Sequence, residues 1–200
     1  MFELPLLEEA PAARADAARN RARILAAAER LFADRGAACV SMDEIAVAAG
    51  VGKGTLFRRF GSRAALALAL LSERESYFQE SFIRGEPPLG PGACPTTRLI
   101  AFGEARLDLL EDHSEVLAAA EVGAARFASP PYAVHRLHLT LLLREAAPDC
   151  DAEYIAEILL ASLGSDVFTY LRRERALSLE RLKSGWGELV QRVVPAAIVP

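Results

Sequence analysis

Ser41–Phe60, SMDEIAVAAGVGKGTLFRRF, reads as two short helices joined by a tight turn. Ser41 and Glu44 stand three apart, so the serine oxygen can accept from the amide of residue 44 while the glutamate reaches back to the amide of residue 41. That capping box predicts the start of a helix whose inner face is Ile45, Ala46 and Ala49. Gly50 can take the left-handed conformation that ends a helix, and Val51 fills the corner. Gly52 to Phe60 form the second helix, with Leu56 and Phe60 four apart on one face. Arg58 and Gly54 centre the opposite face, and Thr55 and Phe57 flank it. Lys53 lies near the helix start, and Arg59 lies beside the core face, better placed for a phosphate than for a base. Three cations on so short a helix exclude full burial. Two readings follow: a solvated charged face, or a helix-turn-helix whose second helix enters the DNA major groove.

Working outward, the charge separates along the chain. The net value is −4, an odd balance for a partner of nucleic acid. Residues 14–63, however, hold ten Lys and Arg against five acids, a local charge of plus five, which leaves minus nine for the remainder. A basic head on an acidic body is the footprint expected where one part alone meets a polyanion.

The wider span Ile24–Leu70, ILAAAERLFADRGAACVSMDEIAVAAGVGKGTLFRRFGSRAALALAL, closely resembles the DNA-binding domain of the TetR family of transcriptional regulators. The signals occur together and in order: LF and RG closing the preceding helix, IA followed by AAGV, KGTLF, and then F, S and a cation opening the next helix. The resemblance covers the first third of the chain. It implies that Ser41, Lys53 and Thr55 occupy positions that contact phosphates or bases, and that Arg63 is the cation opening the fourth helix. Phe57 departs from the pattern, since the family generally has a tyrosine there whose hydroxyl reaches the backbone; a phenylalanine can instead touch a thymine methyl. Arg58 is the candidate base reader, bidentate to guanine O6 and N7.

The expected architecture is all-α, with about nine helices. Residues 1–13 read as a disordered tail, 14–61 as the helix-turn-helix domain, and 62–200 as a larger helical effector-binding and dimerisation domain. The first helix carries Ile24, Ala28, Leu31 and Phe32 on one stripe, with Gly36 at its C-cap. Its leading arginines, Arg14, Arg19, Arg21 and Arg23, suit either phosphates and an adjacent minor groove or plain solvent. Ser62 caps a long fourth helix whose apolar residues continue through Leu66, Leu70, Tyr77 and Phe82; by resemblance its tilt transmits the ligand signal. Residues 84–95, with four prolines and three glycines, read as a flexible connector and the best boundary in the chain.

Beyond Pro95 the pattern predicts Thr96–Asp112, a separate helix capped by Asp112 and Glu115, Ser129–Leu143, one continuous apolar helix Ala152–Arg173, and a last helix capped by Ser178. Wide stripes on the final two, carried by Ile155, Ile158, Leu159, Leu182, Trp186 and Leu189, predict a homodimer through Ala152–Arg173 and Leu179–Val193, as in the TetR family.

An apolar pocket with a few polar groups would take a partly apolar small-molecule effector, with Phe102, Arg106, Leu109, His113, Leu117, Glu121 and His138 as candidates. Leu and aromatic stripes are more often plain core. His135 and His138 stand three apart on one helix but lack a third ligand at fixed spacing, so they read as solvent or core histidines rather than a metal site. Cys39, Cys94 and Cys150 form neither a disulfide framework nor a zinc pattern and read as small buried hydrophobes. No cofactor is implied.

An enzyme is disfavoured. The chain has no GxSxG or HExxH, and GVGKGT at residues 50–55 fails the phosphate-loop pattern because GK is followed by glycine and preceded by a helix. No apolar run reaches the roughly 18 residues of a membrane span, and the acidic N-terminus lacks the cations of a signal peptide, so a cytoplasmic location is expected. The function expected is a ligand-responsive regulator, a repressor that binds a palindromic operator as a homodimer. The alternatives are an activator of the same fold and a regulator acting through protein contacts.

Overall fold

A computed structural model describes the backbone of residues 11–36, 39–120 and 127–194, and the side chains of these except residues 11–14 and 114–120. Among the described residues there are nine α-helices and no strand. Two compact units divide inside the fourth helix, Met1–Leu70 and Leu71–Pro200.

In the first unit, α1 (Pro11–Arg35) begins three residues before the Arg14 start suggested by the pattern, and α2 (Met42–Ala49), α3 (Lys53–Phe60) and the first turns of α4 (Arg63–Arg84) pack with it. Their core holds the expected Ile24, Ala28, Ile45, Leu56, Phe60, Leu66 and Leu70 together with Val40, and Leu31, Phe32 and Val51 pack against them. The capping box at Ser41 and Glu44 is present. Gly50 sits at φ 61°, where an L side chain would be strained, and its amide bonds back to the carbonyls of Ala46 and Val47. Residues 1–10, most of the expected tail, lie outside the described residues.

The second unit holds the remainder of α4 with α5 (Pro95–Ala120), α6 (Pro130–Ala146), α7 (Ala152–Ser162), α8 (Ser165–Thr169), a π-helical turn Tyr170–Glu174, and α9 (Leu179–Val193). Phe82, Leu99, Phe102, Leu110, Leu139, Leu143, Leu159 and Trp186 form its core. Gly103 admits Trp186 against the α5 backbone. A Cβ at that glycine would lie 2.0 Å from the indole ring, whose Nε1 donates to the carbonyls of Leu99 and Ile100.

Several expectations are corrected here. On α4 the buried aromatic is Phe78, while Tyr77 is 70% exposed. Phe78 lies one helical turn before Phe82, so the stripe runs through 78 and 82 and leaves residue 77 outside. The connector is a folded turn, with Leu89 packed on the core and Arg98 donating to the carbonyls of Phe82 and Leu89, and the units divide elsewhere. The helix break expected at Asp112 is present one residue on, where two helical stretches of α5 meet at a kink at His113 (φ −133°, ψ 19°). The span Ala152–Arg173 is broken between Ser162 and Ser165, where Gly164 caps α8 and the axis bends by 41°. Ile158 on this span is exposed in the single chain. Cys39 and Cys94 are exposed, whereas Cys150 is half-buried and packs against the core of the second unit. No single described helix is long and apolar enough to cross a membrane.

Candidate nucleic-acid interface

The outer surface of the first unit is built on α2 and α3. Because Leu56 and Phe60 turn inward, Lys53, Gly54, Phe57, Arg58 and Arg59 are left exposed, with Thr55 half-buried on the flank. A Cβ on Gly54 would meet no atom within 4 Å, so this stretch of backbone is open to close approach. Phe57, at 40% exposure, presents its ring outward, and Lys53 Nζ lies 5.9 Å from its centroid. Arg58 reaches back only to the Thr55 hydroxyl, at 3.5 Å, and is otherwise directed to solvent. The helical phase read from the sequence thus places these side chains together.

Other predicted contacts are already engaged. Ser41 Oγ accepts from the Glu44 amide at 3.2 Å and donates to its carboxylate at 2.7 Å. Bonds from the Ser41 amide and hydroxyl, with Arg35 at 2.6 Å, hold the Glu44 carboxyl down at about 2. Lys53 pairs with Asp43 at 2.6 Å, and Arg63 donates to the Val40 carbonyl at 3.3 Å. Of the leading arginines, Arg19 pairs with Asp16, Arg21 lies 5.6 Å from the Phe60 ring centroid, and Arg23 donates to the Gly50 carbonyl at 3.2 Å. Arg23 and Arg21 therefore brace the helix-turn-helix from α1. Arg35 and Asp43 were not singled out by sequence reasoning. Their positions nine residues from Glu44 and ten from Lys53 were available, but their pairing requires knowing how α1, α2 and α3 meet.

An apolar inner face, a glycine turn and an outward cationic helix match a known sequence family. Residues 24–70 match the model for bacterial regulatory proteins of the tetR family. The match spans the helix-turn-helix and the first turns of α4, and ends there. An uncharacterized HTH-type transcriptional regulator of Mycobacterium tuberculosis is 57% identical over 47 residues, 24% of this chain and 23% of the relative, so the chain matches about a quarter of that relative's length. An HTH-type transcriptional regulator of Staphylococcus aureus is 25% identical over 173 residues, 86% of this chain and 92% of the relative. Among solved structures, a transcriptional regulator from Saccharomonospora viridis in complex with choline superposes with a TM-score of 0.68 at 21% identity, covering 87% of this chain and 96% of that one.

The second unit holds a buried polar cluster. Glu75 on α4 lies 2.7 Å from His135 Nε2 on α6 and 3.7 Å from Arg106 Nη1 on α5, and Gln79 donates to it at 2.8 Å. Arg106 and His135 are 6% and 5% exposed. Burial pushes the Glu75 carboxyl up, but His135, Arg106 and Gln79 outweigh it and hold it below the ordinary value. The rings of Phe78, Phe82 and Phe102 surround His135 at 5.4 to 5.8 Å, and Phe82 stacks 4.4 Å from His138. Among the described residues, the buried His138 Nε2 has no hydrogen-bond partner. Its pKa falls to about 4, first from burial and then from the charges of Arg98 and His135.

Of the candidate ligand residues, the structure gathers Phe102, Arg106 and His138 in this cluster and leaves Leu109 half-buried beside the core. His113 sits at the α5 kink. Glu121 and the Leu117 side chain lie outside the described residues. Glu75 was missed, although it stands three and seven residues before Phe78 and Phe82 and so shares their inward face.

Proposed function

We propose that this chain is a DNA-binding transcriptional regulator of the TetR type, a repressor that grips a palindromic operator as a homodimer and is released by a small molecule. The observation that carries the reading is the outward face of α3, where Arg58 stands exposed between Gly54, Phe57 and Arg59 on a helix held from behind by Leu56 and Phe60. Arg58 reads a guanine, Phe57 meets a thymine methyl, and Lys53, Arg59 and Arg63, with Ser41 and Thr55, hold phosphates. A protein with this role works in the cytoplasm alongside its DNA.

The effector reading is supported by the cluster of Glu75, Arg106, His135 and His138, which places polar groups inside an aromatic shell, as ligand sites do. Relatives of the same fold have been solved with choline, triclosan and stearoyl-CoA. For this chain the effector class is a partly apolar molecule. α4 supplies Leu66 and Leu70 to one core and Phe78 and Phe82 to the other, so a ligand that moves α4 acts on both.

The test is anisotropy on duplexes selected from genomic fragments. Arg58→Ala is expected to flatten the preference at one base pair, a loss of about 1–3 kcal/mol of discrimination. Arg63→Ala is expected to weaken all sequences alike. An unchanged preference profile for Arg58→Ala rejects the base-reading role, and no affinity of the wild type for any duplex at low salt rejects the DNA-binding reading.

A further inference from the structure

Within the buried cluster of the second unit the acid is answered and a base is not. The Glu75 carboxylate is met by His135, Arg106 and Gln79. His138, one turn beyond His135 on α6, has its Nε2 buried with no hydrogen-bond partner among the described residues, although the side chain as a whole is half-buried and lies at the edge of the core. Holding a buried polar atom without a partner is costly, and a bound molecule removes that cost. Phe82 fixes what stands beside it. Its ring lies 4.4 Å from the imidazole, and its carbonyl accepts from Arg98 Nη2 at 2.9 Å. Arg98 Nε donates to the Leu89 carbonyl at 3.4 Å. Both acceptors are neutral, and among the described residues no carboxylate pairs with Arg98. The Phe102 ring, 5.6 Å from His138, and the Phe78 ring, 5.1 Å from Phe102, extend the apolar surroundings.

We infer that this cluster binds a carboxylate carried on an apolar body, the carboxylate accepting from His138 Nε2 and Arg98 while the body lies against Phe82 and Phe102. This rests on the effector reading above and adds to it the charge of the ligand and the two residues that read that charge. The alternatives are an amine and an alcohol of the same shape. Arg98 and Arg106 set two positive charges against the one carboxylate of Glu75, so an ammonium meets an adverse balance, and Glu75, already engaged by three side chains, has little left to offer it. An alcohol bonds to His138 but leaves the Arg98 charge without an anion in surroundings of low dielectric. A carboxylate answers both groups, and charge-assisted bonds are about twice as strong as neutral ones. His138 is kept neutral by burial and by the charges of Arg98 and His135, so with its proton on Nε2 it donates to the acid without adding a further charge to be matched.

Titration calorimetry of the full chain tests this, with a panel of monocarboxylates from benzoate to dodecanoate, each set against the alcohol and the amine of the same body. At least one acid is expected to bind about tenfold more tightly than its alcohol and its amine. His138→Phe keeps a ring on Phe82 and is expected to weaken that acid about tenfold with an unchanged helical circular dichroism signal, while His138→Gln, which restores a donor, recovers part of the loss. Should His138→Phe misfold, Arg98→Gln is expected to bring the acid and its alcohol within about threefold of each other, a loss of charge preference that a merely structural role for Arg98 does not produce. An alcohol or amine that binds as tightly as its acid overturns the inference and leaves the effector reading standing. So does an acid whose affinity is unmoved by both His138→Phe and Arg98→Gln, and so does a panel in which no acid binds. If an acid binds as described but leaves duplex affinity unchanged in anisotropy, the site stands and the effector reading falls.

Discussion

The two units place charge and hydrophobicity in opposite ways. The first keeps an apolar core of small and branched residues and sends Lys53, Arg58 and Arg59 outward. The second draws Glu75, Arg106 and His135 inward among phenylalanines and leaves Leu137, Leu141, Tyr154 and Ile158 in solvent. Exposed cations cost little to hold and remain available to a polyanion. Buried ones are expensive unless paired, so a cluster retained in the core either fixes its helices against one another or answers a ligand. The inversion teaches that one surface is arranged for a charged partner and the other for apolar contacts.

The comparison breaks first at Glu75. Glu75→Ala removes the carboxylate that lies 2.7 Å from the buried His135, and a loss of about 3–5 kcal/mol in urea unfolding is expected; a loss below 1 kcal/mol would put the cluster in effective contact with water, like the charges of the first unit. A smaller effect sharpens the contrast by pH. The His138 pKa lies near 4 when folded, below the ordinary 6.5 of the unfolded chain. The unfolded state therefore gains the proton first, so stability is full above 6.5 and falls as pH drops from 6.5 toward 4. Glu75, held below its ordinary 4.5, adds its own loss only below that value. Between 6.5 and 4.5 the fall is expected in wild type and absent in His138→Phe, followed by thermal melting. The smallest effect belongs to the first unit: Ser41→Ala removes the capping oxygen of α2 and is expected to cost about 1 kcal/mol. Loss of all helical signal in that variant would show the head to be far less tolerant than its exposed polar contacts imply.

The same inversion explains what could be read in advance. The helix-turn-helix was legible because its determinants are local: Ser41 and Glu44 three apart, Gly50 at the end of a helix, Leu56 and Phe60 one turn apart. The Glu75–His135–Arg106 cluster joins residues 31 and 60 positions apart on three helices, and no local pattern encodes that meeting. Tyr77 for Phe78 was an error of phase, since adjacent aromatics differ by about 100° on a helix and only packing decides which turns in. The Pro- and Gly-rich turn was misjudged because Arg98, outside it, supplies the bonds that organise it. Gly164, which breaks the long apolar span, gave a signal that the surrounding hydrophobic run obscured.

The pairing of Lys53 with Asp43 has an electrostatic consequence. Asp43 is a counterion that the chain carries with it. A phosphate that recruits Lys53 must take it from that carboxylate, and the sodium freed from the nucleic acid is matched by one drawn to the abandoned aspartate. The exchange releases almost no net ions, so this lysine would set the orientation of α3 on a duplex while adding little to the salt dependence of binding.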